Sequence, residues 1–167
     1  TRHSYTSGGR RESVAEHSWR LTLMAYFVSD EFPDIDHEKL LKMCLIHDLG
    51  EAFTGDIPSF DKSAADEEME SRLLSDWAAS LPEPFATEMT ALYAEMDALE
   101  STEAKIYKAL DNMEALIQHN EADLSTWIPL EYELQMTYGT DKAAFSDYLT
   151  ALRDTVREDS KIKITMK

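Results

Sequence analysis

Five glycines and five prolines are the only breakers in a chain of 167 residues, and between them apolar positions recur at helical spacing. Ser13, with Glu16 three residues on, has the form of a capping box. Behind it Val14, His17, Leu21, Met24, Ala25 and Val28 fall on one helical stripe, so His17 faces the interior. After Pro33, Asp36 can cap a second helix, which the spacing carries through HEKLLKMCLIHDLGEAF to near Gly55. An acidic helix is expected from about Asp61 to Leu81, and one opened by Pro82 and Pro84 through about Leu99. Ser101 starts the next, STEAKIYKALDNMEALIQHNEAD. A helix led by Trp127 runs to about Tyr138, and TDKAAFSDYLTALRDTVRE forms the last, followed by a short basic tail, SKIKITMK. No repeat, low-complexity linker or β-rich run interrupts this pattern. The pattern predicts an all-α fold: one compact helical bundle of six to seven helices, a single domain over residues 1–167.

Charge narrows the function classes. The chain carries 33 acidic residues against 16 Lys and Arg, a net charge of −17. Polynucleotide binding depends on clustered cations that neutralise phosphates, so a nucleic-acid polymer is excluded as a partner. A small anion stays admissible where a cation or local arginines invert the field inside a pocket. No run of 18 apolar residues offers a membrane span, and the start shows no charged-then-apolar leader. The single cysteine, Cys44, lies in the apolar stretch LLKMCLI. It reads as a small core residue and fits a reducing, cytoplasmic setting.

The stretch His47–Pro58, HDLGEAFTGDIP, concentrates charge behind that apolar run. Buried charge is costly unless paired or metal-bound. Helical spacing places His47, Asp48 and Glu51 on one side of the last turns. His17 lies on a buried stripe, and Asp111 interrupts the apolar helix KALDNMEALIQ. Two imidazoles and two carboxylates from three helices suit one divalent ion such as Mn, Co, Fe, Zn or Mg. Glu16 belongs to the cap, and His3, His37 and His119 are expected at the surface.

ESVAEHSWR, KMCLIHDLGEAFTGDIP and KALDNMEALIQ together resemble the HD-domain metal-dependent phosphohydrolases, in particular their 5′-deoxynucleotidase branch. The match runs from about Arg10 to His119 in the order H…HD…D. The resemblance implies an HD-type helical bundle with His17, His47, Asp48 and Asp111 as metal ligands, and Glu51 and Asp56 as catalytic acids. It further implies a phosphate-binding arginine upstream of the first ligand. Arg2 is the nearest by spacing, with Arg10 and Arg11 as reserves, and a guanidinium suits a phosphate through its paired donors. His3 departs from the pattern, standing where relatives carry an aromatic that helps select the sugar. The implied activity is hydrolysis of a small phosphomonoester, a (deoxy)nucleoside 5′-monophosphate, by a homodimer. Apolar and aromatic residues of the C-terminal half (Trp127, Ile128, Tyr132, Tyr138, Phe145, Tyr148) would complete the core or form the dimer face. Rival readings are a non-catalytic metal- or nucleotide-binding sensor and an HD hydrolase of dNTPs or of cyclic or hyperphosphorylated nucleotides. Retention of Glu51 and Asp56 argues against the sensor, because binding alone does not require them.

Overall fold

The computed structural model describes residues 1–57 and 61–166. Pro58, the last residue of HDLGEAFTGDIP, lies outside them. The elements are α1 (Val14–Phe27), α2 (His37–Ile46), α3 (Glu51–Thr54), α4 (Ala64–Ala79), α5 (Phe85–Ala98), α6 (Thr102–Glu121), α7 (Pro129–Thr137), α8 (Thr140–Ala143) and α9 (Asp147–Thr165). Seven of them run nine residues or longer, and no strand occurs among the described residues.

Local chemistry sets the helix starts. Ser13 accepts from the Glu16 amide while the Glu16 carboxylate returns to the Ser13 N–H, the reciprocal bonding of a capping box. Ser63 and Asp66 repeat it at α4, and Asp36, Ser101 and Ser146 cap α2, α6 and α9. Pro129 occupies the first turn of α7, where its missing N–H removes no helical bond.

Helices α1 and α2 pack against each other and both pack on α6. Leu21, Ala25, Leu40, Met43, Cys44, Ile106, Ala109, Leu110 and Met113 meet there, each at most 1% exposed. A fully buried leucine or methionine contributes about 1.5–3 kcal/mol, while the alanines let the helix axes approach closely. Helix α6 buries residues on most of its circumference and is the central strut of the bundle. No helix among the described residues is long and apolar enough to cross a membrane.

Three boundaries differ from the sequence expectation. Helix α2 stops at Ile46 rather than near Gly55, and residues 47–50 continue as tight turns. The amides of Leu49, Glu51, Ala52 and Phe53 bond three residues back at 3.0–3.1 Å, while the His47 ring takes the Cys44 carbonyl at 2.9 Å. Glu51 is therefore presented by a three-residue repeat and the start of α3, not by the last turns of α2. The last helix is divided into α8 and α9, because Ser146 starts a new N-terminus with its side chain on the Leu149 amide. The basic tail is part of α9 to Thr165, anchored by Ser160, which is fully buried and bonds Asn120 and Gln135.

Candidate metal centre and its cavity

Four side chains from three parts of the bundle converge. His17 comes from the buried stripe of α1, His47 and Asp48 from the turns after α2, and Asp111 from the middle of α6. His17 Nε2 lies 3.1 Å from His47 Nε2, 3.1 Å from Asp111 Oδ1 and 3.6 Å from Asp48 Oδ2. His47 Nε2 lies 3.1 Å from Asp48 Oδ2 and 3.6 Å from Asp111 Oδ1. Ligands about 2.0–2.2 Å from one ion stand roughly 3.0 Å apart at right angles and roughly 3.5 Å apart at tetrahedral angles. The observed separations span that interval.

The outer contacts of the imidazoles support the same use. His17 Nδ1 meets a Glu114 carboxylate oxygen, and His47 Nδ1 meets the Cys44 carbonyl. With the Nδ1 protons directed to these acceptors, both Nε2 lone pairs aim inward at one point, the arrangement of metal-ligating histidines. Two facing lone pairs repel unless positive charge lies between them. An ion supplies it, or a proton does. Burial opposes an imidazolium at His47, yet Asp48 and Asp111 outweigh it and push the pKa up to about 10. At Asp111 burial is likewise overcome, by Lys108 and the two histidines, and its pKa is held well below the usual carboxylate value.

A second set of acids lies behind His17. Glu12, His17 and Glu114 are all buried, with potential ligand atoms within 4.8 Å of one another. Both oxygens of Glu114 are committed, to Arg20 Nε at 2.7 Å and to His17, and Glu12 Oε2 accepts from Ser4 Oγ at 2.7 Å beside Arg2 Nε at 3.4 Å. This group holds His17 in place and is not the better ion site. The sequence reading missed both acids, although Glu114, one turn beyond Asp111 in an apolar helix, carried a signal.

The cluster opens onto a cavity of about 220 Å³. Glu51 and Asp56 both line it. Burial, then the neighbouring Asp48 and Asp56 charges, push the Glu51 pKa up to about 8. Its Oε2 is buried without a hydrogen-bond partner among the described residues. Asp56 accepts from the His3 amide at 3.0 Å. Arg2 lines the same cavity and donates to Asp48 at 3.2 Å. Arg10 and Arg11 do not line it. Arg10 is spread on the exposed Glu16, and Arg11 stacks 4.3 Å over Tyr5 and donates to the His3 carbonyl. Two lysines not singled out in the sequence, Lys62 and Lys108, complete the cationic lining, with Lys108 2.8 Å from Asp111 Oδ2.

His3 and His119, expected at the surface, instead line the cavity wall with Glu131, Gln135 and Tyr138 of the α7 region. His37 is half-buried and lies away from this cavity. Glu131 was not singled out in the sequence. Nothing local marks it or His119 as a cavity residue.

Comparison with known proteins places these features in context. A family model described as HD domain matches residues 1–153. The 5′-deoxynucleotidase HDDC2 of Homo sapiens is 30% identical over 119 residues, covering 70% of this chain and 57% of that protein. Its Danio rerio counterpart is 33% identical over 112 residues, 66% of this chain and 55% of the relative. This chain thus spans little more than half the length of those relatives. A solved structure, a predicted metal-dependent phosphohydrolase from Magnetospirillum magnetotacticum MS-1, superposes with a TM-score of 0.78 at 26% identity, covering 96% of this chain and 86% of that one.

Proposed function

The chain belongs to the HD-domain family, and from that premise we propose that it is a divalent-metal-dependent phosphomonoesterase acting on a (deoxy)nucleoside 5′-monophosphate. The convergence of His17, His47, Asp48 and Asp111 beside a cavity that also contains Glu51, Asp56 and Arg2 carries the reading. His17, His47, Asp48 and Asp111 would hold the ion, of the Mn, Co, Fe, Zn or Mg class. When bound, it supplies charge neutralisation at the phosphoryl group and a more acidic water. Arg2 and Lys108, already against Asp48 and Asp111, reach phosphate oxygens at that edge and orient the ester. Glu51 takes the proton of the attacking water as its oxygen bonds to phosphorus and the ester P–O bond breaks. Asp56, fixed by the His3 amide, meets the departing sugar oxygen or a neighbouring hydroxyl. Both acids are dispensable for mere binding, so the sensor alternative does not account for them.

The packing of α9 on α6 supports a single domain over residues 1–167. The free, buried Cys44 suits a reducing, cytoplasmic compartment. A homodimer is supported by an outward stripe on α1, with Trp19, Tyr26 and Phe27 each more than 60% exposed. In the C-terminal half Trp127 is buried and Tyr138 faces the cavity, while Phe145 and Tyr148 are exposed.

The test is phosphate release from a panel of nucleoside monophosphates with Mn²⁺, Co²⁺ or Mg²⁺. Turnover is expected to fall by about 10²–10⁴ in Glu51→Ala, and Asp48→Ala is expected to lose the ion. Tight nucleotide binding with no turnover by the wild type would overturn the enzyme reading in favour of a sensor.

A further inference from the structure

The wall of the cavity beyond Asp111 contains a charged group that neither metal binding nor water activation uses. Glu131 is 2% exposed. Its Oε2 accepts from the Ile128 amide at 2.7 Å and closes the first turn of α7. Its Oε1 takes His3 Nε2 at 2.7 Å and faces His119 Nε2 at 3.4 Å. Burying a carboxylate is costly unless every lone pair is compensated.

The cap does not require that burial. Glu16 performs the same reach-back at α1 with its side chain 43% exposed. Burial of Glu131 and delivery of two imidazoles to its second oxygen therefore serve something other than the helix start.

The surroundings say what that is. His119 lies eight residues beyond Asp111 on α6, about 12 Å along the axis. Ala115, Leu116 and Leu134 line the cavity alongside. The His119 ring is packed edge-on to Trp127, whose indole N–H donates to the His119 carbonyl at 3.0 Å. Its orientation is thus fixed by packing. His3 joins the two ends, since its amide holds Asp56 while its ring holds Glu131. An apolar floor beside a polar pair held in fixed orientation is how a protein reads a ring that carries hydrogen-bonding groups.

We propose that Glu131 and His119 are the specificity-determining pair of the cavity, reading the polar edge of the nucleoside leaving group while the phosphate lies at the Asp48–Asp111 end. This deepens the phosphomonoesterase reading and rests on it.

The experiment compares kcat and KM for a deoxynucleoside 5′-monophosphate and for p-nitrophenyl phosphate, in the wild type, Glu131→Gln and His119→Asn. Glutamine retains the capping function, and the His119 variant leaves the cap untouched, so a folding defect in one does not obscure the other. The ratio of kcat/KM, nucleotide over aryl phosphate, is expected to fall about tenfold or more in each variant, through KM. Calorimetry with the phosphate-free nucleoside should show a matching loss of affinity. An unchanged ratio together with unchanged nucleoside binding overturns the proposal. If the wild type hydrolyses neither ester, the phosphomonoesterase reading fails, and nucleoside binding alone decides: loss in both variants upholds the pair, and wild-type affinity refutes it.

Discussion

Replacing Glu114 with glutamine tests the layer behind the metal centre. The Glu114 side chain is fully buried between two donors. Its carboxylate accepts from Arg20 Nε at 2.7 Å on one oxygen and meets His17 Nδ1 on the other. A carboxylate serves two donors, but an amide offers one acceptor and one donor group. If the amide oxygen stays on Arg20, its N–H₂ faces His17 Nδ1. The ring relieves that clash by moving its proton to Nε2, the atom that points at His47 and Asp111. If the amide turns round, the clash moves to Arg20, and His17 loses a charged acceptor for a neutral one.

Either way the inward lone pair is lost or weakened. Outer partners of ligating histidines are typically worth 10–100-fold in metal affinity, or about 1.4–2.7 kcal/mol. Stability falls less than for an enclosed ion pair. Arg20 is 26% exposed and keeps Glu121 at 2.6 Å, so about 1–2 kcal/mol is expected rather than the 3–5 of a broken enclosed pair. Metal titration by calorimetry, with thermal melts of the metal-free protein, separates the two effects. Arg20→Ala should lower metal affinity less than Glu114→Gln, because it leaves the Nδ1 acceptor in place. Wild-type metal affinity in Glu114→Gln beside a lowered Tm would refute the reasoning and leave Glu114 a packing residue.

Two glycines give a paired stability test. Both Gly9 and Gly139 have positive φ, +80° and +73°, but a Cβ at Gly9 meets nothing within 4 Å, whereas one at Gly139 falls 2.8 Å from Asn112 Cβ. Gly9→Ala should cost about 1 kcal/mol of backbone strain, and Gly139→Ala a further 1–3 kcal/mol as α6 is pushed away; equal urea midpoints would contradict the packing described. Glu51 gives a pH test. Its folded pKa is raised to about 8, so the metal-free protein carries a penalty that grows as pH rises from the ordinary carboxylate range through 8. Glu51→Gln should therefore melt about 2–4 °C higher than the wild type above pH 8, allowing for solvent screening. That gap should close below about pH 4.5, and a gap independent of pH would show that Glu51 ionisation is not its source.

What the sequence made legible was what short-range chemistry encodes. Caps at Ser13, Asp36 and Ser101 and the stripe through His17 depend on neighbours three or four residues away, and the structure has them where the spacing puts them. The same logic failed over residues 47–50, where a side chain takes a main-chain carbonyl and shortens the repeat. The second layer was out of reach for a different reason. The His17–Glu114 contact joins residues 97 apart, and His3–Glu131 joins residues 128 apart. Which of Arg2, Arg10 and Arg11 lines the cavity turns on the bridge between Tyr5 and Arg11, which returns Arg2 alongside Glu12 while Arg10 and Arg11 turn outward. No periodicity encodes such a reversal.

The charge of the cavity ties the acidic composition to its chemistry. Among the described lining residues, Asp48, Glu51, Asp56, Asp111 and Glu131 face Arg2, Lys62 and Lys108. Five carboxylates face three cations, an excess of acid that the raised pKa values of Glu51 and His47 favour offsetting with protons while no ion is bound. A divalent ion would take the place of those protons and hold Asp48 and Asp111, leaving Arg2 and Lys108, which those two acids now engage, to act on the anion. Metal and phosphate binding must therefore strengthen one another. The rest of the −17 acts on the cavity only within the roughly 8 Å over which charge reaches at physiological salt. It scarcely opposes a small anion already inside the cavity. A polynucleotide, whose phosphates continue across the surface, meets that charge at every step. On the proposed reading, the same acidic exterior would admit a monophosphate and turn away a polymer.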